Sequence, residues 1–379
     1  MIVIPALSCA MGSFATRRQK MSESVLEISL SALSANLKSY REILKSDTKI
    51  MVMVKANAYG LGAVEVARLL ANQRVDFLGV AYQKEAYELK SNGIQIPILV
   101  MNPDEDDFDG IESEGIQAAV YSLSLLKKFI SSGSTTKIHL KLETGMNRLG
   151  FSEQELPKLI ELLKMNPQLQ VTGIFTHFSS TDLPTEDEFS RIQAEKFDRM
   201  SHAIIDALGY RAMLHALNSP GMVRFPEFQY DLVRLGIGIY GFDPSGNLDL
   251  RSVATLKTRV SQIRDIRKGE SISYSRTGQA KKDMTIAVLP IGYADGYLRV
   301  FGNGKAYVSI GSATAPTVGT ICMDMTIIDV TGLDVHEGSE VIIFGNDPSI
   351  AQVAEWSDTI PYEILTNVGE RVKRTYIDV

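Results

Sequence analysis

Apolar residues in this chain gather into short runs separated by amphipathic stretches. Eight such runs fall at 50–54, 77–81, 98–101, 118–121, 138–142, 171–176, 213–217 and 232–235. Runs of four to six apolar residues are the signature of strands buried on both faces. Between most of them the apolar positions recur at helical spacing, as in 64–70, 85–90, 123–130, 153–163 and 191–208. Eight strands alternating with helices predict an α/β fold, a (β/α)8 TIM barrel, although a doubly wound open sheet has the same alternation. Ahead of these units, residues 26–30 alternate as a strand does. Ser31 then caps a helix with Leu33, Leu37, Tyr40 and Ile43 on one face.

The pattern changes after Tyr240-Gly241-Phe242-Asp243-Pro244. Long helical patterns largely stop, and strands are predicted at 256–264, 285–290, 305–310, 326–330 and 340–344, punctuated by Gly and Asp. The expected organisation is therefore a barrel over 21–256 followed by a mainly β C-terminal domain over 257–379, with residues 25–31 as candidates to pair with the second domain. Residues 1–20 read as a disordered extension, with the working protein beginning near Met21. Their apolar start is followed, not preceded, by Arg17, Arg18 and Lys20, the reverse of a secretory signal.

Composition narrows the class. The 379 residues are 45% hydrophobic and 22% charged, with a net charge of −6, and no basic patch dominates any segment. A nucleic-acid partner is not expected. No apolar run is long enough to span a membrane. The two cysteines, Cys9 and Cys322, make no disulfide framework and fit a reducing, cytoplasmic setting. The five histidines lack metal-ligand spacing, so no metal is expected; His139 and His215 read as core or supporting residues, and His202 and His336 as surface residues.

In a barrel of this kind, chemistry sits at the carboxyl ends of the strands. The first strand runs into Lys55. Further on come Lys141 with Arg148, then His177, then Asn218-Ser219, then Arg234 with Gly236 just beyond. Each alone is most simply structural: a lysine with a packed stem, a tight turn, a satisfied core histidine. Five polar strand ends on one face are harder to explain by packing. The loops after the seventh and eighth strands commonly bind phosphate. A phosphate site beside a barrel lysine points to pyridoxal phosphate held as a Schiff base.

Nine segments extend this reading. VKANAYG, LKLETGMNRLG, GIFTHFSSTD, NSPGMVRF, DLVRLGIGIYG, SYSRTG, IGYADGY, ICMDM and PYEILT…RVKRTY occur in order between about residues 25 and 376. In these the chain closely resembles bacterial alanine racemases, fold-type III enzymes that use pyridoxal 5′-phosphate. The resemblance implies that Lys55 carries the cofactor and serves as one proton-transfer base. Tyr59, Asn218, Ser219, Gly236, Ile237 and Tyr362 would hold the cofactor around its phosphate, His177 would stack on its ring, and Arg234 would face its ring nitrogen. Arg148 would meet the phenolic oxygen and the substrate. Lys141 matches a lysine that is often carbamylated. Tyr274 would be the opposite-face base, working in the barrel of a partner subunit, so a homodimer with shared sites is implied. Met323 would meet the substrate carboxylate, supported by Asp324, while Tyr293 and Arg299 would line the entry. The implied reaction interconverts L- and D-alanine for peptidoglycan synthesis.

The sequence departs from the family's common pattern at Leu61 (usually His), Glu143 (Asp), Asn147 (Gly), Leu235 (Pro) and Pro220 (Ala). The rival readings are a serine or broad-specificity racemase, a decarboxylase, which has no need of Tyr274, and a non-catalytic cofactor carrier built as a lone barrel.

Overall fold

The computed structural model describes residues 24–378. The expectation for residues 1–20 lies outside the described residues. All eight predicted barrel strands are present: β2 (Lys49–Met53), β3 (Phe77–Val80), β4 (Ile98–Val100), β5 (Gln117–Val120), β6 (Lys137–Lys141), β7 (Gln170–Phe175), β8 (Met213–His215) and β9 (Leu232–Leu235). They pair in parallel in the order β8-β7-β6-β5-β4-β3-β2-β9. The remaining seam is closed by backbone bonds from Asp231 N–H to the Leu214 carbonyl (3.0 Å) and from Arg234 N–H to the Leu217 carbonyl (2.9 Å). This is a barrel, not an open sheet. Its strands are buried almost throughout because helices cover the outside and side chains fill the inside.

The strand β1 (Val25–Ser29) is not part of the barrel. It pairs antiparallel with Ala254–Arg259 and parallel with Lys373–Ile377. These belong to a six-stranded sheet ordered Ala313–Pro316, Tyr307–Ile310, Glu340–Phe344, Ala254–Arg259, β1, Lys373–Ile377. A three-stranded sheet of Gln262–Ile266, Met284–Leu289 and Thr326–Asp329 lies beside it. The chain thus begins in the β-rich part, passes through the barrel and returns. One continuous apolar core runs through both parts.

Two local expectations need correction, and one feature of the mainly β part was not foreseen. The helix after β1 starts at Leu30, and its cap is Ser29, whose hydroxyl accepts from Ala32 N–H (3.1 Å), not Ser31. The stretch 256–264 is two strands in different sheets. Val260 N–H bonds to the Ser339 carbonyl and Ser261 N–H to the Val288 carbonyl, so the chain changes sheets between them. The inward parity of Leu256, Thr258 and Val260 shifts by one residue at Ile263, and with no Gly or Pro to mark the break the stretch reads as one strand. Finally, the β-rich part carries two short helices, Ile350–Trp356 and Pro361–Thr366. The second reaches the mouth of the barrel.

Candidate active site

A cavity of about 1050 Å³ opens at the carboxyl ends of the barrel strands. It collects Lys55, Tyr59, Lys141, Arg148, His177, Asn218, Ser219, Arg234, Gly236, Ile237 and Tyr362. It does not collect Tyr274, Met323, Asp324, Tyr293 or Arg299. Those five lie on the β-rich part of the chain. Tyr274, Met323 and Tyr293 are exposed, with Tyr274 66% accessible. Tyr274 also opens a 3-10 turn, not a strand, between Ser273 and Ser275, both at positive φ. Asp324 is held by Arg371, Nη2 to Oδ1 at 2.7 Å.

The segment that carries Lys55 has an unusual backbone. Ala56, Asn57, Ala58 and Tyr59 all have φ between 52° and 56°. They form one turn of left-handed helix, with bonds from Ala58 N–H to the Val54 carbonyl and from Gly60 N–H to the Ala56 carbonyl, both 2.8 Å. For residues with a Cβ this conformation costs about 1–2 kcal/mol each, so the surroundings must hold it. They do so on several sides. Asn57 Oδ1 accepts from Ala63 N–H (2.7 Å), Arg374 Nε donates to the Gly60 carbonyl (3.1 Å) and Tyr376 Oη donates to the Leu61 carbonyl (3.0 Å). Tyr59 packs on Tyr240 (centroids 4.8 Å) and Tyr362 (6.0 Å). Leu61, where a histidine is common among the proteins the sequence resembles, is fully buried. Glu85 also reaches the turn: its Oε1 accepts from Ala56 N–H at 2.5 Å.

Around the lysine, cations dominate. Burial lowers the Lys55 pKa, and Arg148 lowers it further, against a smaller opposing pull from Glu85. Burial, with Arg148, Arg234 and Lys55 nearby, brings Lys141 down to about 8, opposed by Glu143. Glu143 also shapes the loop after β6, since Oε1 accepts from Gly145 N–H (2.5 Å) and Oε2 from Arg148 N–H (3.3 Å). Asn147 in this loop has φ 53°, a conformation asparagine tolerates better than most residues, which explains how it can replace glycine.

Arg234 is the most constrained group. Burial brings its guanidinium down to about 9, still protonated at neutral pH. Nη1 bonds to the His215 carbonyl (3.1 Å) and to His215 Nδ1 (2.9 Å). Nη2 bonds to the Thr176 and Ala216 carbonyls (2.6 and 2.8 Å) and approaches His177 Nδ1 at 3.3 Å. A guanidinium only donates. His215 Nδ1 must therefore accept, its Nε2–H donates to His139 Nδ1 (2.9 Å), and His139 Nε2–H donates to Gln117 Oε1 (2.9 Å). One donor-only group thus sets the tautomers of two buried histidines. Burial and Arg234 hold both far below their ordinary pKa, His139 at about 3. The reading of His139 and His215 as core residues is correct, and the reason is this chain. His202 and His336 are exposed, as expected.

On the opposite wall, Ser219 Oγ accepts from Gly236 N–H (2.9 Å) and Gly238 N–H (3.2 Å). Both lone pairs are engaged, so its own proton is free to point into the cavity. A Cβ on Gly236 would come within 2.9 Å of Tyr59 Oη, so a side chain there would fill the cradle. Burial raises the Tyr59 phenol well above its ordinary pKa and Tyr362 to about 12, so both remain hydrogen-bond donors. Asn218 lines the cavity with the expected set and has a structural task as well. Its Oδ1 caps the helix Ser219–Arg224 through Gly221 N–H (3.0 Å) and accepts from Thr181 Oγ1 (2.7 Å). Sequence reasoning missed the rim formed by Asp358, Thr359, Ile360, Glu363 and Thr366, as well as Met101, Asn102 and Phe175. The Ile360-Pro361 step, with proline at the first helical position, was a usable signal for that rim helix.

Four cations and a ring of neutral donors face one cavity, and the carboxylates lining it, Asp358 and Glu363, belong to the rim helix region. That donor set suits a ligand carrying a phosphate, bound next to a reactive amine. Fold and site together define a barrel enzyme of the lysine-and-phosphate type. Residues 28–244 match the family model "Alanine racemase, N-terminal domain" and residues 253–376 match "Alanine racemase, C-terminal domain". The chain belongs to the alanine racemase family. It is 36% identical over 363 residues to the alanine racemase of Thermodesulfovibrio yellowstonii, covering 93% of this chain and 97% of that one. Its fold matches the alanine racemase structure from Clostridium difficile 630 with a TM-score of 0.87 at 36% identity, covering 94% and 96% of the two chains. It also matches the structure from Bartonella henselae with covalently bound pyridoxal phosphate, with a TM-score of 0.87 at 29% identity over 94% and 99%.

Proposed function

We propose that this protein is a pyridoxal-phosphate-dependent alanine racemase in which Lys55 and Tyr274 work from opposite faces of the substrate. The convergence of Lys55, the cation set and the Ser219–Gly236 cradle in one cavity is the observation that carries this reading. Pyridoxal phosphate, when bound, supplies the electron sink that makes the Cα proton of alanine removable. The chain's residues do the rest. Tyr59, Ser219, Tyr362 and the Ile237 N–H would hold the phosphate, and Gly236 N–H, which bonds to Ser219 Oγ, would join them by turning from that hydroxyl. Asn218 acts on it indirectly, by capping the helix that begins at Ser219. His177 would stack on the ring. Arg234 stays cationic at neutral pH, so it would donate to the ring nitrogen without transferring its proton. Its lowered pKa leaves more of Lys55 neutral, and so available as a base at Cα, than an ordinary surface lysine.

Racemisation needs a second group on the far face. Tyr274 is exposed and does not line its own chain's cavity, which fits a role in the barrel of a partner subunit within a homodimer. Met323 N–H and Arg148 would receive the substrate carboxylate, Asp324 would fix that loop through Arg371, and Tyr293 and Arg299 would line the entrance between subunits. At a pKa of about 8, Lys141 has an appreciable neutral fraction able to take up carbon dioxide. The resulting carbamate would pair with Arg148. Among the described residues no helix is long and apolar enough to cross a membrane; we place the enzyme in the cytoplasm, supplying D-alanine for peptidoglycan.

The test is a racemisation assay over a panel of L-amino acids with cofactor supplied. Alanine should turn over fastest. A serine rate equal to or above that for alanine would favour the broad-specificity reading instead.

A further inference from the structure

Glu85 stands outside the cavity lining, on the helix Gln83–Ser91 that follows β3. Its two carboxylate oxygens do different work. Oε2 accepts from Ala81 N–H (2.6 Å) and Tyr82 N–H (3.1 Å) and so caps its own helix. Oε1 turns away and accepts from Ala56 N–H at 2.5 Å. Ala56 is the first residue of the left-handed turn and directly follows Lys55. The N–H of this first residue begins the backbone path that places Lys55 at one end of the turn and Tyr59 at the other.

We infer that Glu85 is a positioning residue, a brace that holds the left-handed turn in the form that presents Lys55 and Tyr59 together. This inference rests on the proposed roles of those two residues. Several contacts clamp the far side of the turn, through Asn57, Gly60 and Leu61, but on the Lys55 side the side-chain contact is that from Glu85. An alanine at φ 52° gains no local stabilisation from its own side chain, so the anchor must come from elsewhere. A carboxylate suits the task because it accepts on both oxygens at once, as glutamine cannot. The brace also ties β2 to β3 at the catalytic end, in line with the bond from Val54 N–H to the Gly79 carbonyl (2.9 Å).

The two functions of Glu85 can be separated by Glu85→Gln. The single amide oxygen satisfies most by facing Ala81 and Tyr82, where two N–H groups wait. The NH2 group then opposes Ala56 N–H. The cap survives and the brace is lost. Three measurements on purified protein follow: the urea midpoint of the cofactor-free protein, the dissociation rate of pyridoxal phosphate followed by its visible absorbance, and kcat and KM for alanine. The expected result is a urea midpoint lowered by no more than the loss of one hydrogen bond requires, cofactor release faster by about tenfold, and kcat lower by about tenfold with KM nearly constant. Adding Ala56→Gly, which removes the left-handed penalty at that residue, should restore cofactor retention at least in part. Release and kcat within twofold of the unsubstituted protein would overturn the inference. So would a urea midpoint that falls in step with cofactor loss and no rescue by Ala56→Gly. If the unsubstituted protein itself neither retains pyridoxal phosphate nor racemises alanine, the functional reading has failed, a result distinct from failure of the brace.

Discussion

Buried side chains behind the cavity wall hold its cations in place. Arg234 sets the tautomers of His215 and His139 through a chain of buried bonds that ends on Gln117. His139→Leu would leave His215 Nε2–H unpaired in the barrel core, while Gln117 Oε1 keeps its bond from Thr172 Oγ1. It should destabilise the protein by roughly 1–3 kcal/mol for the orphaned group, read from urea unfolding, and should weaken cofactor retention as Arg234 loosens. Lys141 offers a pH test. Below pH 8 it is protonated in both folded and unfolded chains. Between about 8 and its ordinary 10.5, only the unfolded chain keeps the proton, so its contribution to stability rises with pH across that window. In carbon-dioxide-free buffer, cofactor-free Lys141→Met should be more stable than the parent at pH 7 by about 1–2 kcal/mol, allowing for solvent in the open cavity, and the gap should close towards pH 10.5. With bicarbonate, the intact mass of the unsubstituted protein should show a carbon dioxide adduct that Lys141→Met lacks. The identities of Lys55, Lys141, His177, Ser219 and Arg234 were legible as polar ends of apolar runs. The links from Arg234 to Gln117 were not, because they join residues 117 positions apart whose spacing carries no pattern.

At the scale of elements, the barrel strands were the most readable part, since burial on both faces leaves an unbroken apolar run. The left-handed turn after Lys55 was not readable. Ala-Asn-Ala-Tyr-Gly suggests only a loop, and the conformation comes from partners distant in sequence: Glu85, Leu365, Arg374 and Tyr376. Gly60 shows how tight the fit is. It has φ 86°, and a Cβ there would stand 2.5 Å from the Leu365 carbonyl oxygen of the rim helix. Gly60→Ala should therefore strain the backbone and push the Tyr362 helix away from Tyr59. We expect a loss of about 2 kcal/mol or more by urea unfolding, together with faster cofactor release. In contrast, Asn147→Gly should be nearly neutral, because the loop after β6 asks only for positive φ and not for a missing Cβ.

For the molecule as a whole, the C-terminal strand and β1 tie the two ends of the chain into one sheet, and the rim helix of the β-rich part lies over the barrel's catalytic end. One chain therefore supplies Lys55 and Tyr362 to the same cavity while its Tyr274 is exposed to solvent outside the lining. If Tyr274 acts in a partner's barrel, Lys55→Ala and Tyr274→Phe proteins, each nearly inactive, should regain activity when unfolded and refolded together. With random pairing, half of the dimers are hybrids carrying one intact site of two, so about a quarter of full activity is expected. No recovery would argue for sites built within single chains. The central claim, two-sided proton exchange at Cα of alanine, is tested most directly by incubating the protein with L-alanine in D2O and following deuterium at Cα together with optical rotation. The account predicts that deuterium enters while rotation decays to zero. Deuterium incorporation with rotation unchanged would contradict it.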